Sequence, residues 1–109
     1  MDISKAPEYI VCGLTQVDNG IGGFIETPQE LFKVKGYLDL ITGDERNTNN
    51  APMEESTHIL ITDFRKNITN DYWIIDEDHN RYDITLVDDP VKLHHHLEIY
   101  LKFIGDRNV

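Results

Sequence analysis

Between Ser56 and Ile104 the chain repeats one kind of unit, a short β-branched or aromatic run closed by a turn-forming cluster. The runs are Thr57–Phe64, Tyr72–Asp76, Arg81–Val87 and Leu93–Ile104. The clusters between them are Arg65-Lys66-Asn67, Glu77-Asp78-His79-Asn80 and Asp88-Asp89-Pro90. Val, Ile, Thr and Tyr suit a pleated, half-buried surface, while Asn, Asp and Pro hold tight turns. With 109 residues in all, antiparallel pairing on this scale leaves little chain to line a catalytic cleft. The pattern predicts one small β domain whose work is contact.

The other strands are less plain. Tyr9–Thr15 reads as a first strand, and Val17-Asp18-Asn19-Gly20-Ile21-Gly22-Gly23-Phe24 as a hairpin turn in which Asn19-Gly20 provides positive φ. Its glycines do not make a phosphate loop, because no Lys-Ser/Thr and no long helix follow. Thr27-Pro28-Gln29-Glu30 has the form of a helix start, with a capping Thr and Pro at the first helical position. Phe32, Val34, Leu38 and Leu40 then alternate with Lys33, Lys35, Tyr37 and Asp39, which is strand periodicity. The expectation is a turn or single helical twist at 27–30, then a strand with a bulge at Gly36. In the last run, Leu93, Leu97, Leu101 and Ile104 fit a helix face. Alternation accounts for more: Leu93, Leu97, Ile99, Leu101 and Phe103 face one way, and His94, His96, Glu98, Tyr100 and Lys102 the other. The predicted organisation is an N-terminal arm at 1–8, one domain at 9–105 with a long polar loop at 42–55, and a tail at 106–109. A loop of that length in so small a domain is either functional or disordered.

Charge narrows the functional classes. Twenty acidic residues against ten basic ones give a formal charge of −10, which is unsuited to gripping nucleic acid through its phosphates. It does not prevent DNA from sliding past, although solubility alone is a sufficient reason for acidity. No apolar run approaches the roughly 20 residues of a membrane span, and Met1-Asp2-Ile3-Ser4-Lys5 lacks the layout of a signal peptide. Cys12 is the single cysteine, so the expectation is a reducing compartment and no intrachain disulfide.

Candidate chemistry is sparse. His94-His95-His96 draws attention because imidazole is the commonest metal ligand, but in a strand only His94 and His96 share a face, and zinc needs a third ligand. These two are the metal candidates, and no metal or other cofactor is expected. Asp76-Glu77-Asp78-His79-Asn80 starts like a calcium loop, yet Arg81 stands where glycine is required and Val87 where the bidentate Glu belongs. Asp88 and Asp89 precede Pro90 as ordinary turn residues, and neither Ser56, Thr57 nor Cys12 has an assignable activating base. No catalytic constellation emerges, and the chain is not expected to be an enzyme.

The order of several segments resembles the head-completion (head–tail joining, stopper) proteins of tailed bacteriophages. The segments are Asp18-Asn19-Gly20-Ile21-Gly22-Gly23, Leu38-Asp39-Leu40-Ile41-Thr42-Gly43-Asp44-Glu45 and Glu55-Ser56-Thr57-His58-Ile59-Leu60-Ile61. Trp73-Ile74-Ile75, Arg81-Tyr82-Asp83-Ile84 and Val87-Asp88-Asp89 complete the set, so the likeness runs from about Tyr9 to Ile104. The tryptophan often found in that family's strand around Phe32–Tyr37 is absent, and the histidine triplet has no counterpart. The resemblance implies an all-β fold, a small antiparallel β-barrel of about six strands with one long polar loop. It implies a virion protein at the head–tail junction, made in the host cytoplasm and assembled as a ring, expected to be twelve-fold. The state of the free chain, monomer included, stays open. Its implied partners are copies of itself, the portal or an adaptor, tail proteins and, transiently and non-specifically, packaged DNA; a membrane is not among them. The implied channel loop is Gly43, Asp44, Glu45, Arg46, Asn47, Thr48, Asn49 and Asn50, within the segment Gly43–Glu55. Rival readings are another junction ring protein, an adaptor or tail terminator, and a metal-binding β module built on His94 and His96.

Overall fold

A computed structural model describes residues 3–41 and 56–106. Six strands run in order as β1 (Glu8–Asp18), β2 (Phe24–Leu40), β3 (His58–Asp63), β4 (Trp73–Ile75), β5 (Asn80–Asp88) and β6 (His96–Asp106). A 3-10 turn at Pro90–Lys92 precedes β6, and no α-helix occurs among the described residues. Every pairing is antiparallel, and the sheet closes on itself in the order β1-β2-β3-β6-β5-β4 and back to β1. Closure depends on β4, which meets β1 only from Ile10↔Ile75 to Cys12↔Trp73 and meets β5 from Trp73↔Asp83 to Ile75↔Arg81. Trp73–Ile75 is short because the turns at Thr69–Asp71 and Asp76–His79 take up the chain on either side.

Most inward-facing residues are those that alternation selects, but Leu40, expected on the apolar side of its strand, is exposed, and Tyr100, expected on the polar side of β6, is buried. Val11, Leu60, Ile74, Ile99 and Leu101 have no exposed surface, and Tyr9, Val34, Tyr82, Ile84 and Leu97 join them in one core. Ile68, from the loop after β3, packs into the same cluster although it belongs to no strand. Burying such side chains stabilises by roughly 1.5–3 kcal/mol each, which drives a chain of this size to close its sheet.

Several local expectations need correction. Thr27–Glu30 forms no turn and no helical twist: it lies inside β2, with Pro28 opposite Leu14. Proline is tolerated there because β3 pairs with β2 only at Gly36–Leu40, so the other edge at Pro28 has no strand whose carbonyl needs an N–H. The bulge is not at Gly36 but at Leu31, which is skipped between Val11↔Phe32 and Cys12↔Glu30. Gly36 pairs regularly with Thr62, and its lack of a side chain lets the backbone approach β3 closely. The final strand starts at His96, so Leu93, His94 and His95 lie outside it, and Leu93 is exposed. Asp89-Pro90 begins a 3-10 turn, and positive φ at Val91, Lys92 and His94 turns the chain away from extended geometry. Phe103, expected on the inner face, is exposed, because it lies near the strand end where a register shift interrupts pairing with β5.

The hairpin expectation at 18–24 holds. Gly20 and Gly22 adopt φ of 82° and 89°. Asn19 Oδ1 accepts hydrogen bonds from the amides of Ile21 and Gly23, while Asp18 Oδ1 accepts one from Gly20. This turn sits at the end of a ribbon formed by β1 and β2, and it extends well beyond the region where β3 and β4 join them.

Candidate functional surfaces

The segment singled out as a channel loop, Gly43–Asn50 and onward to Glu55, lies outside the described residues. Its flanks are well placed. On the outgoing side Ile41 is buried and donates its amide to the Thr57 carbonyl at 3.0 Å. On the returning side Ser56 is fully buried, and its hydroxyl lies 2.6 Å from that of Thr85. Thr85 is the extra residue of a bulge in β5, where pairing passes from Ile84↔Leu101 to Leu86↔Tyr100, and its hydroxyl also donates to the Tyr100 carbonyl. Thr57 donates its amide to the Leu101 carbonyl at 2.8 Å, and its Oγ1 accepts from the Phe103 amide at 2.7 Å. Both flanks are therefore tied to each other and to the closed sheet.

An aromatic group surrounds that base. His58 makes edge contacts with Tyr82 and Phe103, at centroid distances of 5.2 and 6.1 Å. Burial pushes His58 below the usual imidazole pKa, with Asp39 pulling weakly the other way. The Tyr82 hydroxyl donates to Asp76 Oδ2 at 2.9 Å, and burial together with that carboxylate raises its pKa well above the ordinary phenol value. Tyr9 is raised as well, mainly by burial. These groups stay neutral near pH 7, and His58 Nδ1 lies 2.8 Å from Thr57 Oγ1.

Residues 1–102 match the sequence model of a family described as phage head completion protein. The chain belongs to the phage head completion family. No curated protein matches it. Membership makes it a structural protein of the phage particle, with a role in joining head and tail and with contacts to other head and tail proteins.

The other sequence candidates have local structural uses in this head completion protein. His94 lies in the turn before β6, where its Nδ1 and its amide both bond the Asp89 carboxylate and its ring rests 4.3 Å from that of Phe64. His96 begins β6 and contacts Glu98 at 3.2 Å. The two histidines thus do not share one strand face and pair with different carboxylates. Among the described residues no three His, Cys, Asp or Glu side chains form a group able to hold a metal ion. Asp76 uses its Oδ1 to cap the β4–β5 turn, accepting from the amides of Asp78 and Asn80 at 2.9 Å each. Cys12 is buried beside the β1–β4 pairing.

One surface escaped the sequence reading. Beyond Cys12 on β1 and before Gly36 on β2, the ribbon carries Leu14, Val17, Ile21, Phe24, Ile25 and Leu31, all exposed. Its signal was present in the sequence: no lysine or arginine occurs from Ala6 to Phe32, although the segment contains many apolar residues. The assumed turn at Thr27–Glu30 hid it by cutting the ribbon in two.

Proposed function

We propose that this head completion protein is a stopper, a small barrel that assembles as a ring, twelve-fold in the virion, beneath the portal or its adaptor. The ring closes the portal channel after DNA packaging and presents the surface to which the tail attaches. The family match across residues 1–102 carries the reading, and two physical features support it. The flanks of the long polar segment are pinned together on a closed sheet, a rigid mount for an obstructing element. The charge of −10 lets DNA pass without phosphate adhesion. In this reading Gly43–Asn50 is the channel-facing part, its contact with DNA is transient and non-specific, and no residue acts catalytically.

Shortening Gly43–Glu55 tests the assignment. The variant should retain the wild-type circular-dichroism spectrum and cooperative melting, while the particles that carry it lose packaged DNA. Particles that keep their DNA with the shortened chain in place would refute the gate.

A further inference from the structure

We propose that the exposed end of the β1–β2 ribbon docks onto a second copy of this chain, in an open depression lined by Lys33, Lys35 and Arg65. The contact rests on the ring reading and specifies which two surfaces meet.

The ribbon needs a cover. Among the described residues it has no third strand, since β4 stops at Cys12 of β1 and β3 stops at Gly36 of β2. Two-stranded ribbons are marginal in water. Cross-strand partners share a face, so Val17 and Ile25 lie on one side while Leu14 with Pro28, and Phe24, lie on the other. Ile21 at the tip is 88% exposed and Phe24 69%. An element packed on one core would be apolar on one face only, so both faces point to an enclosing partner. Strand addition along β2 is interrupted by Pro28, which has no amide to donate. Side chains entering a depression fit better.

Charge selects the occupant. The ribbon bears Asp18, Glu26 and Glu30 and no basic residue. The depression, about 550 Å³, is lined by Lys33, Lys35 and Arg65 with Glu8, Asp63, Ile3, Ser4 and Val34. It therefore gathers three of the eight lysines and arginines among the described residues. Lys33 faces Glu8 at 3.7 Å, Lys35 reaches only the Ser4 carbonyl at 3.1 Å, and Arg65 rests 5.3 Å from the Phe32 ring centre. Among the described residues neither Lys35 nor Arg65 has a carboxylate partner. A chain cannot fill its own depression with its own tip, because Ile25 and Lys35 belong to the same strand and stand roughly 33 Å apart along it. Only another copy can bring the two together. Tip and depression are different patches, so the contact is head-to-tail and generates a ring when the rotation closes.

Thiol cross-linking in intact particles tests this, with Ile21→Cys and Lys33→Cys introduced together and separately and a short bifunctional reagent. The paired variant should give a ladder of covalent dimers, trimers and larger multimers, and each single variant should give none. Phe24→Asp should leave the melting of the purified chain unchanged and lower its incorporation into particles by about tenfold or more, as for a central apolar anchor. Dimers from Ile21→Cys alone would indicate tip-to-tip contact and overturn the proposal. Particles that contain many copies but yield no ladder overturn this contact while leaving the ring intact. Wild-type particles with a single copy defeat the ring reading, and this contact with it.

Discussion

Replacing Gly36 by alanine adds one methyl group at the point where β2 lies closest to β3. An ideal Cβ there stands 2.5 Å from the Ile61 carbonyl oxygen, 2.8 Å from Thr62 Cγ2 and 3.1 Å from Leu60 Cδ1. The first of these neighbours is backbone, held in the β2–β3 and β3–β6 ladders, and cannot rotate away. Overpacking in a close-packed interior costs about 1–3 kcal/mol, and a backbone obstacle places this site near the upper end. Alanine recovers roughly 0.5–1 kcal/mol of the entropy that glycine loses on folding. The net destabilisation is therefore about 2 kcal/mol, a fall in Tm of roughly 8–16 °C for a domain of this size. Gly13→Ala is the control: its Cβ would also meet atoms at 2.8–3.0 Å, but these belong to the side chains of Tyr72 and Leu31, which can shift. Differential scanning calorimetry should rank Gly36→Ala clearly below Gly13→Ala, with the wild type highest. If Gly36→Ala melts with the wild type, or above Gly13→Ala, the claim that the β3 backbone approaches too closely here to admit a side chain on β2 is wrong.

Leu60→Ala empties a fully buried site in β3 and should cost about 3–4 kcal/mol in urea unfolding, a large part of the stability of a small domain. His58, held below its ordinary pKa of 6.5 by burial, stays neutral in the fold while the unfolded chain takes up a proton. Stability should therefore fall as pH drops below about 6.5, and the pH dependence between about 7 and 5 should flatten in His58→Phe. Tyr82 has the opposite sign: its raised pKa keeps it protonated in the fold, so its contribution is complete below pH 10.0 and declines as alkali ionises the unfolded chain. Tyr82→Phe, lacking the bond to Asp76, should lose about 1–2 kcal/mol at neutral pH and a smaller further amount above pH 10 than the wild type, followed by chemical denaturation.

Much of the fold was legible because strand signals are local. Thr57–Phe64 and Arg81–Val87 announce themselves by β-branched and aromatic content, and the observed strands differ from them by one residue at each end. Asn19-Gly20 marked its hairpin because few residues accept the φ that the turn requires. Pro28 misled because proline and a preceding Thr are common to helix starts and to strand edges. Only the neighbours of β2 decide between the two. The histidine triplet misled for a similar reason, since alternation was extrapolated back from Leu97 into residues that Asp89 draws into a turn.

Alternating apolar residues and turn chemistry were enough to dictate an antiparallel β protein, because each depends on side chains adjacent in the chain. Which strands close the sheet, where the bulges at Leu31 and Thr85 fall, and that the β1–β2 ribbon stands clear of the core were settled by tertiary structure. Those features depend on residues far apart in sequence competing for the same space. The three residues of β4 seal the ring of strands only because Val11, Ile74 and Tyr82 converge on one interior.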